Sequence, residues 1–380
     1  MKTPPTLGVY VQVPFCQTKC TYCNFHTGVF SRDLYRPYVD AVCQEIRESG
    51  ELRDLAVDTV YLGGGTPSLL DPSDLARILD AIRATHACGL QEVTLEADPE
   101  TITREKADAW CAAGIGRISM GVQSFCDVEL RAAGRMHRRA DIYNANEILR
   151  GAGIANIGMD LIAGLPHQTR ASWESSLEEL LALWPEHISI YLLEVDEGSR
   201  LGREILASGA RYGASAVPSE DEMAEFYELA CERLATKKYE HYEISNWAQP
   251  GCASKHNLKY WRREPYLGFG AGAHSFDGAR RWANLHDPAA YTAAMQRGAS
   301  VREQEETVTA KQALEEELFL GLRELAGIDL ARIEKRYGAD LTPRVSKLIE
   351  DGLIEREGER IRLSPARLTI SNEAFVELLG

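Results

Sequence analysis

The sequence has no long apolar run. Nowhere in its 380 residues do roughly 18 apolar residues follow one another, the length a membrane helix needs. It has no excess of positive charge either: Lys and Arg total 42 against 57 Asp and Glu, a formal net charge of −15. No nucleic-acid partner is expected, because phosphate binding needs clustered Lys and Arg. No signal peptide is expected in the first fifteen residues, where the apolar run is interrupted by Gln12 and Pro14 and leads straight into cysteines. What is present is ample core-forming material. Hydrophobic residues make up 44% and charged residues 26%, which excludes a disordered or collagen-like chain. The length predicts two or three domains, or one barrel with an appendage.

The nine cysteines are an odd number without a secretory signal, so they read as reduced thiols in a cytoplasmic protein. Cys43, Cys88, Cys111, Cys126, Cys231 and Cys252 stand singly and read as small hydrophobes. The other three are bunched as Cys16-x3-Cys20-x2-Cys23. Three thiolates do not close a structural zinc site, which wants four ligands, and His26 is the nearest fourth. An iron–sulfur reading needs no fourth ligand, because three thiolates on a [4Fe–4S] cluster leave one iron open to another molecule.

Short β-rich runs near 8–13, 57–62, 91–96, 117–122, 155–160 and 187–193 alternate with helical stretches near 33–48, 73–86, 101–113, 127–151 and 171–183. A break at Gly134 is expected in the fourth stretch, and Asp71-Pro72-Ser73 and Asp98-Pro99 read as helix starts. This is the spacing of repeated βα units on a parallel sheet, and six units make an open barrel. Such folds carry their chemistry at the carboxyl ends of the strands. There the chain places Cys16, Cys20 and Cys23, then Gly63-Gly64-Gly65-Thr66-Pro67, then Glu96, Gln123, Asp160 and the vicinity of Glu194. The glycine run lacks the Lys of a nucleotide P-loop and reads as close backbone approach to a ligand or as a tight turn. Gly268-x-Gly270-x-Gly272 lacks a strand–helix setting and reads as a loop.

Residues 198–219 read as irregular, followed by a helix near 220–237. Segment 239–287 gathers Tyr239, Tyr242, Trp247, Tyr260, Trp261, Tyr266, Phe269, Phe276 and Trp282 with His241, His256, His274 and His286. Helices near 307–325, 329–337 and 343–351 lead into a hairpin after Gly352, the order of a winged helix. Its modest basic content favours a packing role over DNA. The expected organisation is a barrel over 1–238, an aromatic and His-rich connecting segment over 239–306, and a C-terminal α+β, winged-helix-like domain over 307–380.

These motifs together resemble the radical S-adenosylmethionine (SAM) proteins. Tyr10-Val-Gln-Val-Pro-Phe-Cys16, Glu96-Ala-Asp-Pro99, Gly121-Val-Gln-Ser-Phe125, Gly134-Arg-Met-His137 and Asp160-Leu-Ile-Ala-Gly-Leu-Pro166 resemble, within that group, the anaerobic coproporphyrinogen oxidases and their relatives the HemW heme chaperones. The resemblance implies a partial (β/α)6 radical SAM barrel with a HemN-like C-terminal domain, and Cys16, Cys20 and Cys23 as ligands of a [4Fe–4S] cluster. It implies SAM contacts at Tyr10, Tyr22, Gly64, Gly65, Thr66, Glu96, Gln123, Arg135 and Asp160. For Arg135 and Asp160 an ion pair across the barrel mouth is the structural alternative. Gln12 departs from the His of many relatives.

Two features separate the relatives. Phe25 stands where the oxidases carry a fourth cysteine, and only nine residues precede Tyr10 where the oxidases have an extension. The heme chaperones share His-Asn-x-x-Tyr-Trp, present here as His256-Asn257-Leu258-Lys259-Tyr260-Trp261. Imidazole is a common ligand of heme iron, and aromatic faces suit a porphyrin, although packing of barrel against tail explains the same residues. The resemblance therefore implies a heme carrier, with His256, Asn257, Tyr260 and Trp261 at the heme and His274 as a candidate second axial ligand. Its partners would be heme, a heme-acceptor protein and an electron donor for a reduced cluster; peripheral association with a membrane stays open. The other reading is an oxygen-independent coproporphyrinogen III dehydrogenase.

Overall fold

A computed structural model describes residues 5–379. Its centre is a run of parallel strands in chain order: β1 (Leu7–Val13), β2 (Val57–Gly64), β3 (Cys88–Ala97), β4 (Arg117–Gln123), β5 (Asn156–Ala163) and β6 (His187–Leu192). Helices α1 (Tyr35–Glu48), α2 (Pro72–Thr85), α3 (Arg104–Ala113), α4 (Asp127–Ala132), α5 (Arg139–Gly151) and α6 (Arg170–Leu183) run between them. The expected partial (β/α)6 barrel is present. Strand alternation explains which face does what. Val9, Val11, Val60, Leu62, Leu95, Ile118, Met120, Ile157, Met159, Ile188 and Ile190 are buried in the hydrophobic core. The intervening Tyr10, Tyr61, Glu96, Ser119, Asp160 and Ser189 take the other face, which gives the barrel a polar interior.

Helix boundaries follow their caps. Asp71 accepts from the Ser73 N–H at 2.8 Å and starts α2 as expected. Asp98 does not start a helix. It precedes a 3-10 turn over Pro99–Thr101, and α3 begins later, capped by Thr103. The break at Gly134 is present, with φ +75°, and it separates α4 from α5.

Beyond β6 the chain forms α7 (Arg200–Leu206), α8 (Glu220–Thr236), β7 (Glu240–Glu243), β8 (Asn246–Ala248), α9 (Lys255–Trp261), β9 (Tyr266–Phe269), β10 (His274–Phe276), β11 (Arg280–Asn284), α10 (Pro288–Gln296) and β12 (Arg302–Thr307). α7 corrects the irregular reading of 198–219: Ser199 caps it through the Gly202 N–H, a signal hidden among Gly, Ala and Ser. β12 was not anticipated, because it is an exposed edge strand, Arg-Glu-Gln-Glu-Glu-Thr, with no apolar alternation. The sheet runs β12-β11-β10-β9-β1-β2-β3-β4-β5-β6-β8-β7, so segment 239–306 adds strands to both edges of the barrel sheet.

The C-terminal part comprises α11 (Ala310–Gly321), β13 (Ile328–Asp329), α12 (Leu330–Tyr337), α13 (Thr342–Glu350), β14 (Ile354–Glu357), β15 (Arg360–Leu363) and α14 (Ser371–Leu379). Its hairpin β14–β15 gains β13 as a third strand. Arg262 pairs with Glu324 at 2.8 Å and Arg263 with Glu316 at 2.8 Å, joining it to the segment after α9. Among the described residues no helix is long and apolar enough to cross a membrane.

α9 plugs the amino-terminal end of the barrel. Glu92, level with Thr59 on the neighbouring strand, accepts from the Lys255 and His256 backbone N–H groups at 3.0 Å each. Buried Lys259 pairs with Asp58 at 2.9 Å and Glu264 at 3.0 Å. Replacing Glu92→Ala strands these donors in a closed space, at a cost of about 2 kcal/mol or more. A lowered urea midpoint is the expected outcome; an unchanged midpoint contradicts the plug.

Candidate functional site

At the opposite, carboxyl end of the strands the cysteine loop folds over the barrel mouth. The Cys16 N–H donates to the Gly28 carbonyl at 2.8 Å, and the Cys23 N–H to the Cys20 carbonyl at 3.3 Å. Lys19 and Thr21 are strapped from outside by α7: Arg200 donates to the Lys19 carbonyl, and the Leu201 N–H to the Thr21 carbonyl at 2.8 Å. Burial pushes the Cys16 thiol up to about 11, the Cys23 and Cys20 thiols add to the rise, and Thr27 opposes it. Mutual repulsion of this kind is relieved by a cationic centre among the thiols. A Cβ on Gly65 would lie 2.6 Å from the Phe15 carbonyl oxygen and 2.9 Å from the Cys16 sulfur. Glycine is required there because backbone and thiol need the space.

The His26 ring packs on the His286 ring, with centroids 4.5 Å apart, and the Cys23 sulfur faces the Thr27 hydroxyl at 3.8 Å. Among the described residues no three His, Cys, Asp or Glu side chains converge on a single metal ion. Three thiols on one loop are the donor set that an iron–sulfur cluster takes, leaving one iron without a protein ligand.

The glycine loop and the strand-end acids form one hydrogen-bonded rim. Glu96 accepts from the Gly64 N–H at 2.8 Å and from the Tyr61 hydroxyl at 2.9 Å. Thr66 donates to Asp98 at 3.1 Å, and Asp98 pairs with Arg135. Arg135 also donates to the Gly121 carbonyl at 2.8 Å and approaches the Cys20 sulfur at 3.4 Å. The partner of Arg135 is therefore Asp98, which sequence reasoning read only as a helix start. Asp160 is held by the Ser119 hydroxyl at 3.3 Å and by Ser189. The sixth strand's inward contribution is thus Ser189 and, two residues on, Tyr191, while Glu194 is exposed. Tyr22 packs against the small apolar cluster that contains Ile162 and Leu165, and burial raises its hydroxyl's titration, with Cys20 adding to the rise and Arg135 opposing it.

Two inward acceptors lack partners: Gln123 Oε1 and Asp160 Oδ1 are buried without hydrogen bonds. Gln123 also takes a left-handed backbone, φ +66°, which marks a functional position more often than a structural one. Three carboxylates face one guanidinium, so the cavity favours a cationic ligand rich in hydroxyl or ammonium donors. Burial raises Asp160, and it pushes Glu96 up to about 7, with Asp160 and Asp98 adding repulsion.

Tyr10 lies one layer deeper. Its hydroxyl donates to Gln12 Oε1 at 2.7 Å, and its ring stacks on Tyr61 at 6.0 Å. Gln12 fills the space beside Gly64, where a Cβ would meet its amide at 2.6 Å. Beneath this pair sits His256, stacked on Tyr61 at 5.2 Å. The residues of the cysteine expectation and, Tyr10 apart, those of the SAM expectation share the mouth. His256, Asn257, Tyr260 and Trp261 lie towards the other end, whereas His274, the candidate second axial ligand, lies beside His286 and His26. His256 is 1% exposed. Its Nδ1 faces the Thr59 hydroxyl at 3.0 Å and its Nε2 the Tyr260 hydroxyl at 2.9 Å. Burial depresses its titration to about 3, with Lys259 adding to the shift. Asn257 donates through its backbone to the Ser254 cap, and Trp261 lies under the Arg323 guanidinium at 4.5 Å. Thr59, Tyr61, Glu92 and Asp98 were missed; the period-two alternation of β2 and β3 was the available signal for the first three.

Family models match the radical SAM superfamily over residues 10–180 and the HemN C-terminal domain over residues 308–366. The heme chaperone HemW of Bacillus subtilis (strain 168) is 35% identical, with 98% of this chain and 99% of that protein aligned. The heme chaperone HemW of Lactococcus lactis is 33% identical, covering 98% and 97%. The solved structure of coproporphyrinogen III oxidase (HemN) from Escherichia coli superposes with a TM-score of 0.83 at 21% identity, covering 99% of this chain and 89% of that one; this is likeness of fold.

Two outcomes follow from the geometry. Gly65→Ala pushes the Cys16 sulfur aside, so anaerobically reconstituted protein should hold less iron and sulfide per chain than wild type; an equal content contradicts the cradle. The folded chain holds the Glu96 proton more tightly than the unfolded chain, so ionisation costs stability that is lost as pH rises from about 4.5 to about 7. Glu96→Gln should flatten that part of the stability–pH curve of the cluster-free protein, as urea midpoints measure; parallel curves for the two proteins contradict the assignment.

Proposed function

Because the chain belongs to the HemW family of heme chaperones, within the radical SAM superfamily, we propose that it binds heme and hands it to an acceptor protein. The family implies a [4Fe–4S] cluster and SAM at the mouth. Cys16, Cys20 and Cys23 would hold the cluster. When bound, the cluster supplies an iron with an open position and a site for one-electron chemistry.

The chain's own residues have separable tasks there. Gly65 leaves room for the Cys16 thiolate. Arg135 places positive charge beside the Cys20 sulfur and is itself fixed by Asp98. Gly64 and Thr66 bring backbone close to the cavity. Glu96, Gln123 and Asp160 present acceptors to the hydroxyl and ammonium groups of a bound nucleoside, and Tyr10 and Tyr22 close its sides. The observation that carries the carrier reading over the oxidase reading is Phe25. It replaces a possible fourth thiol and stands 67% exposed, so no further sulfur ligand is offered at that position.

Heme ligation by the His256–Trp261 motif needs a conformational step. Both ring nitrogens of His256 are engaged, so iron reaches Nε2 only when the Tyr260 hydroxyl turns away. Tyr260→Phe should therefore speed hemin association through the motif several-fold in stopped-flow traces; an unchanged rate contradicts this gate.

The function itself is tested by titrating anaerobically reconstituted protein with hemin and then adding apomyoglobin. A Soret band that forms and then moves to the myoglobin position is expected. Absence of hemin uptake by protein with an intact cluster, or formation of protoporphyrinogen from coproporphyrinogen III, contradicts the proposal.

A further inference from the structure

A carrier must offer its cargo where an acceptor can reach it, and the His256 motif is closed. The mouth end of the barrel carries a second group of imidazoles. His26 follows the cysteine loop, His274 opens β10, and His286 follows β11. The His26 and His286 rings are 4.5 Å apart. A Cβ on Gly272 would sit 3.2 Å from His286 Nδ1, which is buried without a hydrogen-bond partner. His26 and His274 are exposed. Burial, then His286, Arg281 and His26, hold His274 below the usual imidazole range, which keeps a lone pair free at neutral pH.

The neighbours complete the chemistry of a porphyrin site. Phe25 and Val29 are 67% and 63% exposed and offer apolar surface beside His26. The Lys19 ammonium donates to the Phe25 carbonyl at 3.2 Å, which puts a cation where a carboxylate side chain of a porphyrin could pair. A bare metal ion suits this group poorly, since no three ligands converge on one point. Heme iron needs only one or two axial nitrogens from the protein.

We propose that His26, His274 and His286 form a surface site for heme iron at the barrel mouth, separate from the His256 motif, with Phe25 and Val29 against the macrocycle and Lys19 at a propionate. This rests on the reading of the chain as a heme carrier. Iron binds an exposed imidazole, and His286 backs His26.

The test is hemin titration of anaerobically reconstituted wild type, of His256→Ala, and of His256→Ala combined with His26→Ala and His274→Ala. Iron, sulfide and circular dichroism confirm that each is folded and loaded. His256→Ala should still bind hemin with a Soret band, and the triple variant should bind at least tenfold more weakly. A His256→Ala/His274→Gly variant supplies a second readout, since free imidazole should restore its Soret band. The site is overturned if His256→Ala alone abolishes binding that wild type shows, or if the triple variant matches His256→Ala in affinity and band position. Failure of wild type to take up hemin at all overturns the carrier reading together with the site.

Discussion

One carboxylate ties the two ends of the barrel together. Glu96 accepts from the Gly64 N–H at the mouth and from the Tyr61 hydroxyl in the interior, and the Tyr61 ring lies on His256. The glycine loop, the aromatic stack and the α9 plug therefore share one buried acid. A curved parallel sheet with helices on its outer face forces this economy. Its outward faces are spent on Val, Ile and Leu, so every polar task falls to the alternate residues pointing inward.

The electrostatics follow from the same constraint. Glu96, Asp98 and Asp160 gather where the strands end, and Arg135 is the cation among them. Arg135 is spent on Asp98 and on the Cys20 sulfur, so the remaining acids keep unsatisfied demand. That demand shows in the unpartnered oxygens of Gln123 and Asp160, while burial is the first cause of the raised titration of Glu96 and Asp160. Such groups cost stability when nothing meets them, and they are best understood as prepared for a cationic, hydroxyl-bearing ligand.

Much of this was legible in the residues. The six strands, the Gly134 break, the Asp71 cap and the cysteine loop at the mouth all follow from local pattern. What was not legible was settled by tertiary partners. Asp98 has the signature of a helix cap, yet its carboxylate is drawn to Arg135 and Thr66. β12 is charged on every face because it lies on an exposed edge. His256 carries a ligand's chemistry, but Tyr260, one helical turn on, and Thr59, far away in the chain, occupy both nitrogens, and nothing in its own segment records where Thr59 lies. The pairing of His26 with His286 joins positions far apart in the chain, beyond the reach of any spacing rule.

The central claim is that the thiols of Cys16, Cys20 and Cys23 hold a cluster with one iron open to SAM. Electron paramagnetic resonance of anaerobically reconstituted, dithionite-reduced protein, recorded with and without SAM, tests it most directly. A cubane signal whose g-values move when SAM is added is the predicted result. A signal indifferent to SAM, or protein holding zinc and no sulfide, would contradict it.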